Sequence, residues 1–357
     1  MKRASQGFSL KRLLVRLVIS LVIGIAILYG VLVWWCASEL AEPARRPVQT
    51  GALPYLDGTA KAGFRVETFT SSGGMPYAVC TPEKTQVLSK RAAAIREQLV
   101  ERGIEPLPSG EIIGTLVILH GRGGIKEDYF PVAERFCAAG FRCVIPDLPG
   151  HGANQGRYAT YGVLEAEMVL RCYQEAASKY NFPEQPCAIL GQSMGGSVAI
   201  HTAALDGSPF SSMIVISSFD RLETVVREKT DGLLGSVLGA AVRRPADAVF
   251  GWKTGVKVSA IRPMDKATKI RIPTMIVHGD SDGFVPTASG RVLFESFPEG
   301  IEKEWIPVPT ANHNNVLITD FPLYATMAEW LGVIFFGVFR RPFFAKVFPS
   351  RRWLVGF

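Results

Sequence analysis

The run ILGQSMGG, residues 189–196, ends an apolar stretch on a serine set between small residues. Gly191, Ser193 and Gly195 have G-x-S-x-G spacing. A sharp strand-to-helix turn needs small neighbours if a serine hydroxyl is to stand clear of the backbone. Such a serine becomes a nucleophile when a histidine takes its proton and a carboxylate orients that histidine. Both partners occur downstream, in HGDSDGFVP (278–286) and TANHNN (310–315). His313 falls in a polar loop, where core packing does not account for it. Asp282 is preferred to Asp280, which suits a local turn, and Asp220 is a weaker third candidate. The other histidines read structurally. His120 and His278 precede glycines at strand ends, His151 lies in a glycine-rich loop, and His201 belongs to the helix expected after Ser193.

HGRGG (120–124) supplies a further part. Its glycines let backbone N–H groups face a cavity. The N–H groups of Arg122 and Met194 are the expected oxyanion donors for a tetrahedral intermediate. Phosphate binding is the rival use of such a loop, but it lacks G-x-x-x-x-G-K-[ST] spacing, and G-x-G-x-x-G fails at Lys126. No C-x-x-C occurs among Cys36, Cys80, Cys137, Cys143, Cys172 and Cys187, so neither a zinc nor a redox site is expected. The last four lie in apolar segments and read as buried thiols. The expected chemistry needs no metal and no organic cofactor.

These groups must be positioned by strands and helices. FRVETFT (64–70) and PYAVCTP (76–82) flank a Ser-Ser-Gly-Gly turn and predict a hairpin. Apolar strands then follow at 115–121, 141–147, 187–193, 212–218, 273–279 and 303–309. Helical stretches are expected at 85–103, 129–140, 161–180, 194–206, 286–297 and 320–337. Near-continuous apolar strands alternating with helices predict an α/β fold whose mainly parallel sheet is covered on both faces. Ligands of such sheets meet the carboxyl ends of the strands, where Ser193, Asp282 and HGRGG all fall. Residues 220–271 interrupt the alternation and read as a small helical cap.

On HGRGG, DLPGHG (147–152), GQSMGG (191–196), HGDSDGFVP and the Asn-His of TANHNN, the chain resembles the α/β-hydrolase superfamily from about residue 62 to 335. PMDKATKIRIPTMIVHGDSDGFVP (263–286) is most similar to the small-cap branch of monoacylglycerol lipases, acyl-thioesterases and serine aminopeptidase-like proteins. The resemblance implies that Asp147 and His151 belong to a conformational loop beside the site, outside the catalytic set.

The chain ends carry a different message. Lys2, Arg3, Lys11, Arg12 and Arg16 precede a charge-free stretch, Leu17 to Cys36. As a helix its twenty residues measure about 30 Å, one bilayer core. Five more cations, and no acid, lie in 336–357. The net charge of +7 therefore belongs to the two ends, and the body offers no basic face to a nucleic acid. The expected organisation is a basic cytoplasmic N-terminus (1–16), a transmembrane anchor (17–36) and a linker (37–62). A hydrolase domain (63–337, cap insertion 220–271) follows, then a basic aromatic tail (338–357) suited to a lipid interface. Positive-inside logic puts the domain on the outer side of the membrane. A cleaved signal peptide is the rival for the first segment.

These features lead to the expectation of a membrane-anchored serine hydrolase acting on ester or thioester bonds of lipid-like or small acyl substrates. An aminopeptidase or amidase is the alternative; it needs a cap carboxylate for a substrate amine, with Glu223, Glu228, Asp231 and Asp247 available. A silent membrane scaffold of the same fold is a third reading.

Overall fold

The computed structural model describes residues 10–319 and 321–336. A long helix α1 (Leu10–Ala41) and a short turn α2 (Leu53–Leu56) precede the sheet. Then come β1 (Phe64–Thr70), β2 (Pro76–Pro82), α3 (Lys90–Glu101), β3 (Gly114–Leu119), α4 (Phe130–Ala138) and β4 (Phe141–Pro146). Next are α5 (Glu165–Lys179), β5 (Cys187–Gln192), α6 (Met194–Ala203) and β6 (Ser212–Ile216). An insertion follows, α7 (Leu222–Leu234), α8 (Ser236–Thr254) and the short α9 (Pro263–Ala267). The chain returns through β7 (Thr274–Gly279), α10 (Thr287–Ser296), β8 (Lys303–Val308) and α11 (Leu323–Phe336).

The eight strands form one sheet in the order β1-β2-β4-β3-β5-β6-β7-β8. β1 pairs antiparallel with β2, and β2 with β4; every later pairing is parallel. The strand pleat explains the unbroken apolar runs. Along β3, Val117 and Leu119 face one core cluster, while Leu116 and Ile118 face the other. Ile189 and its neighbours Ala188 and Leu190 divide in the same way on β5. Both faces are buried, so neither needs polar positions. β3 and β5 are neighbours, which sets HGRGG and Ser193 side by side at their carboxyl ends.

Three elements differ from the sequence expectation. α3 starts at Lys90, not 85, because Ser89 caps it: its Oγ accepts the Ala92 N–H at 3.1 Å. α5 starts at Glu165, not 161. Tyr161 and Gly162 have positive φ, and the buried Glu165 carboxylate accepts N–H bonds from Thr160 and Gly162. α1 runs past Cys36 to Ala41, since Ala-Ser-Glu-Leu-Ala favours helix. Ala37 and Ala41 are buried in the main core cluster, and Pro43 ends the run. The described cysteines are all free thiols, and only Cys36 is not buried. Residues 338–357, the basic aromatic tail, lie outside the described residues.

Candidate active site

Ser193 occupies the turn between β5 and α6 with φ 53 and ψ −116. A non-glycine residue in that region is strained, and such strain persists only where the surroundings enforce it. Here the Ser193 N–H donates to the Ile216 carbonyl (2.8 Å), and the Ser218 hydroxyl donates to the Ser193 carbonyl (2.8 Å). The flanking glycines are sterically required. A Cβ on Gly191 would sit 2.1 Å from the Gly195 carbonyl oxygen, and one on Gly195 would sit 2.3 Å from that of Leu119.

His313 Nε2 lies 3.0 Å from Ser193 Oγ, and its Nδ1 lies 2.8 Å from Asp282 Oδ2. An ionised Asp282 only accepts, so Nδ1 carries the proton and Nε2 is left to accept from the serine. The other oxygen of Asp282 accepts the N–H groups of Phe284 and Val285, each at 2.9 Å. Burial alone raises the pKa of Asp282. The hydrogen bond and charge of His313, with those two N–H donors, outweigh burial and hold the carboxyl below its ordinary value. The other candidate acids are elsewhere. Asp280 is exposed and accepts from the Ser281 hydroxyl. Asp220 is buried, bound by the Ser289 hydroxyl and by Arg221.

The HGRGG loop packs on the serine: a Cβ on Gly121 would be 3.6 Å from Ser193 Cβ. Arg122 and Ser193 line one cavity of about 590 Å³ with Gln192, Phe284 and His313. Met194 opens α6, so its N–H has no acceptor within the helix. The loop is tied down from behind. Lys126 is buried, with Nζ 2.8 Å from Asp147 and 2.7 Å from Glu127, and its N–H also donates to Asp147. Asp147 thus fastens the HGRGG strand end to the DLPGHG loop. His120 Nε2 accepts the Leu148 N–H at 3.0 Å, a second tie between the same loops.

Several contacts at the site were not read from the sequence. Gln192 accepts from the Tyr129 hydroxyl and donates weakly to the His313 carbonyl at 3.4 Å. Phe284 stacks on His313 with centroids 4.7 Å apart, and Lys229 of α7 lies 4.1 Å above the Phe284 ring. His278 Nε2 stands 3.6 Å from Asp282 and bonds the Val285 carbonyl. Only the last has a legible cue, the four-residue spacing of His278 and Asp282.

With this geometry in hand, resemblance to known proteins is specific. The sequence profile of the family described as "Serine aminopeptidase, S33" matches residues 110–245. An esterase of Pyrococcus furiosus superposes with a TM-score of 0.57 at 15% identity, over 82% of this chain and 98% of that one. The chain has the α/β-hydrolase fold. This α/β hydrolase is 26% identical over 217 residues to a monoacylglycerol lipase of Mycolicibacterium smegmatis, covering 53% of this chain and 77% of the relative. It is 24% identical over 221 residues to a caffeoylshikimate esterase of Arabidopsis thaliana, covering 52% and 67%. These likenesses support a hydrolase, and the names of the relatives differ in substrate.

Proposed function

We propose that this α/β hydrolase is a membrane-anchored serine esterase. The observation that carries the reading is the hydrogen-bonded line Ser193–His313–Asp282 at the carboxyl end of the sheet. Ser193 Oγ attacks the acyl carbonyl carbon while His313 Nε2 takes the hydroxyl proton. Asp282 fixes the imidazole tautomer and stabilises the imidazolium. The N–H groups of Arg122 and Met194 receive the oxyanion. His313 returns the proton to the departing alkoxide or thiolate. Water, deprotonated by the same imidazole, then cleaves the acyl-enzyme and releases the acid. The monoacylglycerol lipase and esterase relatives support an ester of lipid-like or small acyl type over an amide. Of the four cap acids, Asp231 is paired with Arg243 and Asp247 accepts the Val258 N–H, while Glu223 and Glu228 are exposed and keep the aminopeptidase alternative open to test.

The anchor is the second part of the reading. The most apolar window of α1 is only 6% buried within the protein. Its end, by contrast, is docked in the core through Ala37 and Ala41. A retained helix accounts for both facts, and the N-terminal cations favour a cytoplasmic start with the hydrolase domain outside.

A fluorophosphonate probe on the full chain in detergent tests the nucleophile. Stoichiometric labelling at Ser193, lost in Ser193→Ala and in His313→Ala, is the expected result. A folded protein that stays unlabelled removes the esterase reading and favours a silent scaffold. A panel of acyl esters, thioesters and aminoacyl amides then separates esterase from aminopeptidase.

A further inference from the structure

A cleft of about 540 Å³ lies between the end of α1 and the α7–α8 pair. Trp35, Cys36 and Leu40 form its α1 wall, and Val226, Leu233 and Leu234 of α7 face them. The volume is in the range of sites that enclose one small ligand. Arg122 lines this cleft and also the Ser193 cavity. Arg122 is the one described residue common to both linings, and it pairs with Glu39 of the cleft at 3.2 Å.

The depth of the cleft follows from how α8 lies on α1. The Tyr29 hydroxyl donates to the Ala241 carbonyl at 2.8 Å. Further along both helices, Trp34 packs on Trp252 with centroids 5.9 Å apart, and Lys253 pairs with Glu42. The helices run in the same sense, so the first turn of α8 lies towards the Tyr29 side of this contact. Tyr29 precedes Trp34 by about 7.5 Å of helix and belongs to the charge-free stretch. The α7–α8 corner thus stands on the membrane side of Trp34. Its side chains suit that place: Leu233, Val237 and Leu238 are exposed, Val237 at 85%. Arg227 and Arg244 line the cleft and engage no carboxylate among the described residues. Cations beside an inserted apolar tip complement anionic lipid heads.

We propose that the α7–α8 corner enters the same leaflet as α1, and that the cleft between them takes one hydrocarbon chain of a lipid ester directly from that leaflet, with the ester carbonyl reaching Ser193 past Arg122. This rests on the reading of α1 as a membrane helix and of Ser193 as the nucleophile. α1 then forms one wall of the substrate site as well as holding the enzyme to the bilayer.

The test uses the full chain in vesicles of phosphatidylcholine and phosphatidylglycerol. Depth is read with bimane on Val237→Cys and, separately, on Ile23→Cys, each in a Cys36→Ala background where the remaining native cysteines are buried. Lipids brominated on their acyl chains should quench both labels. Quenching at position 23 alone overturns the inference and leaves the anchor standing; quenching at neither overturns the anchor and the inference together. The cleft is read by attaching a bulky maleimide to native Cys36. The ratio of kcat/KM for a hexadecanoyl ester to that for a butanoyl ester should fall about tenfold. An unchanged ratio, including an equal loss on both esters, overturns the role of the cleft. If the unmodified protein hydrolyses neither ester, the nucleophile reading fails instead. Protection of Cys36 from the maleimide by hexadecanoate then decides the cleft alone: slower labelling upholds it, and an unchanged rate overturns it.

Discussion

At the scale of single residues, the site is a chain of protons and dipoles whose members have separable duties. Asp282→Asn keeps the shape but permits the wrong imidazole tautomer. Its kcat for an acyl ester should fall about 10³–10⁴-fold with little change in KM, read by steady-state kinetics. Lys126→Met does something else. It leaves Asp147 buried without its cation, which should cost about 3–5 kcal/mol of stability, measured by chemical denaturation. The HGRGG loop then loosens without any change to the Ser193–His313–Asp282 contacts. Gln192 and Phe284 show why a sequence reading stops short. Both touch His313, but through contacts made only once β5, the loop after β3 and the 282–286 turn have met. Ser193 was legible because its requirement is local: glycines two positions away on either side, forced by Cβ contacts of just over 2 Å. Asp282 could be ranked above Asp280 and Asp220, but the distances, not the spacing, separate them.

At the scale of elements, that steric demand becomes a prediction. Gly195→Ala pushes a methyl group against the Leu119 carbonyl, so β3 and α6 must move apart. A loss of about 2–4 kcal/mol is expected, visible as a lowered denaturation midpoint. Ser89→Ala, by contrast, removes only the cap of α3 and should cost about 1 kcal/mol. The alternation of strands and helices was readable because each strand buries both faces and so shows an unbroken apolar run. Helix starts were less readable, since they depend on where a side chain such as Ser89 or Glu165 finds an N–H. The insertion was recognised as helical from its composition. Its division into α7 and α8 depends on Gly235, whose φ of 76 ends one helix and begins the next.

At the scale of the whole molecule, the buried imidazoles set a pH dependence. His120, His151, His201 and His278 are all buried, and burial lowers the pKa of each, that of His151 to about 3. An unfolded chain protonates them near pH 6.5 while the folded one does not, so the unfolded state binds more protons in that window. Stability should therefore fall as pH drops below about 6.5, by up to about 1.4 kcal/mol per pH unit for each histidine. Thermal melts between pH 7.5 and 4.5 (roughly the range in which an imidazole changes charge) measure it, and a Tm that rises on acidification contradicts it. Least legible of all was the junction of α1 with the body. Residues 37–62 read as a plain linker, because Ala37 and Ala41 reveal their burial only when the core they complete is present. That junction has a kinetic meaning. An enzyme on a leash samples a hemisphere of solution, whereas in the proposed reading α1 is an anchor cemented into the core and holds Ser193 at a constant height and tilt. With α1 in a bilayer, its encounters become a two-dimensional search, and turnover should scale with the mole fraction of substrate in the surface rather than with its bulk concentration.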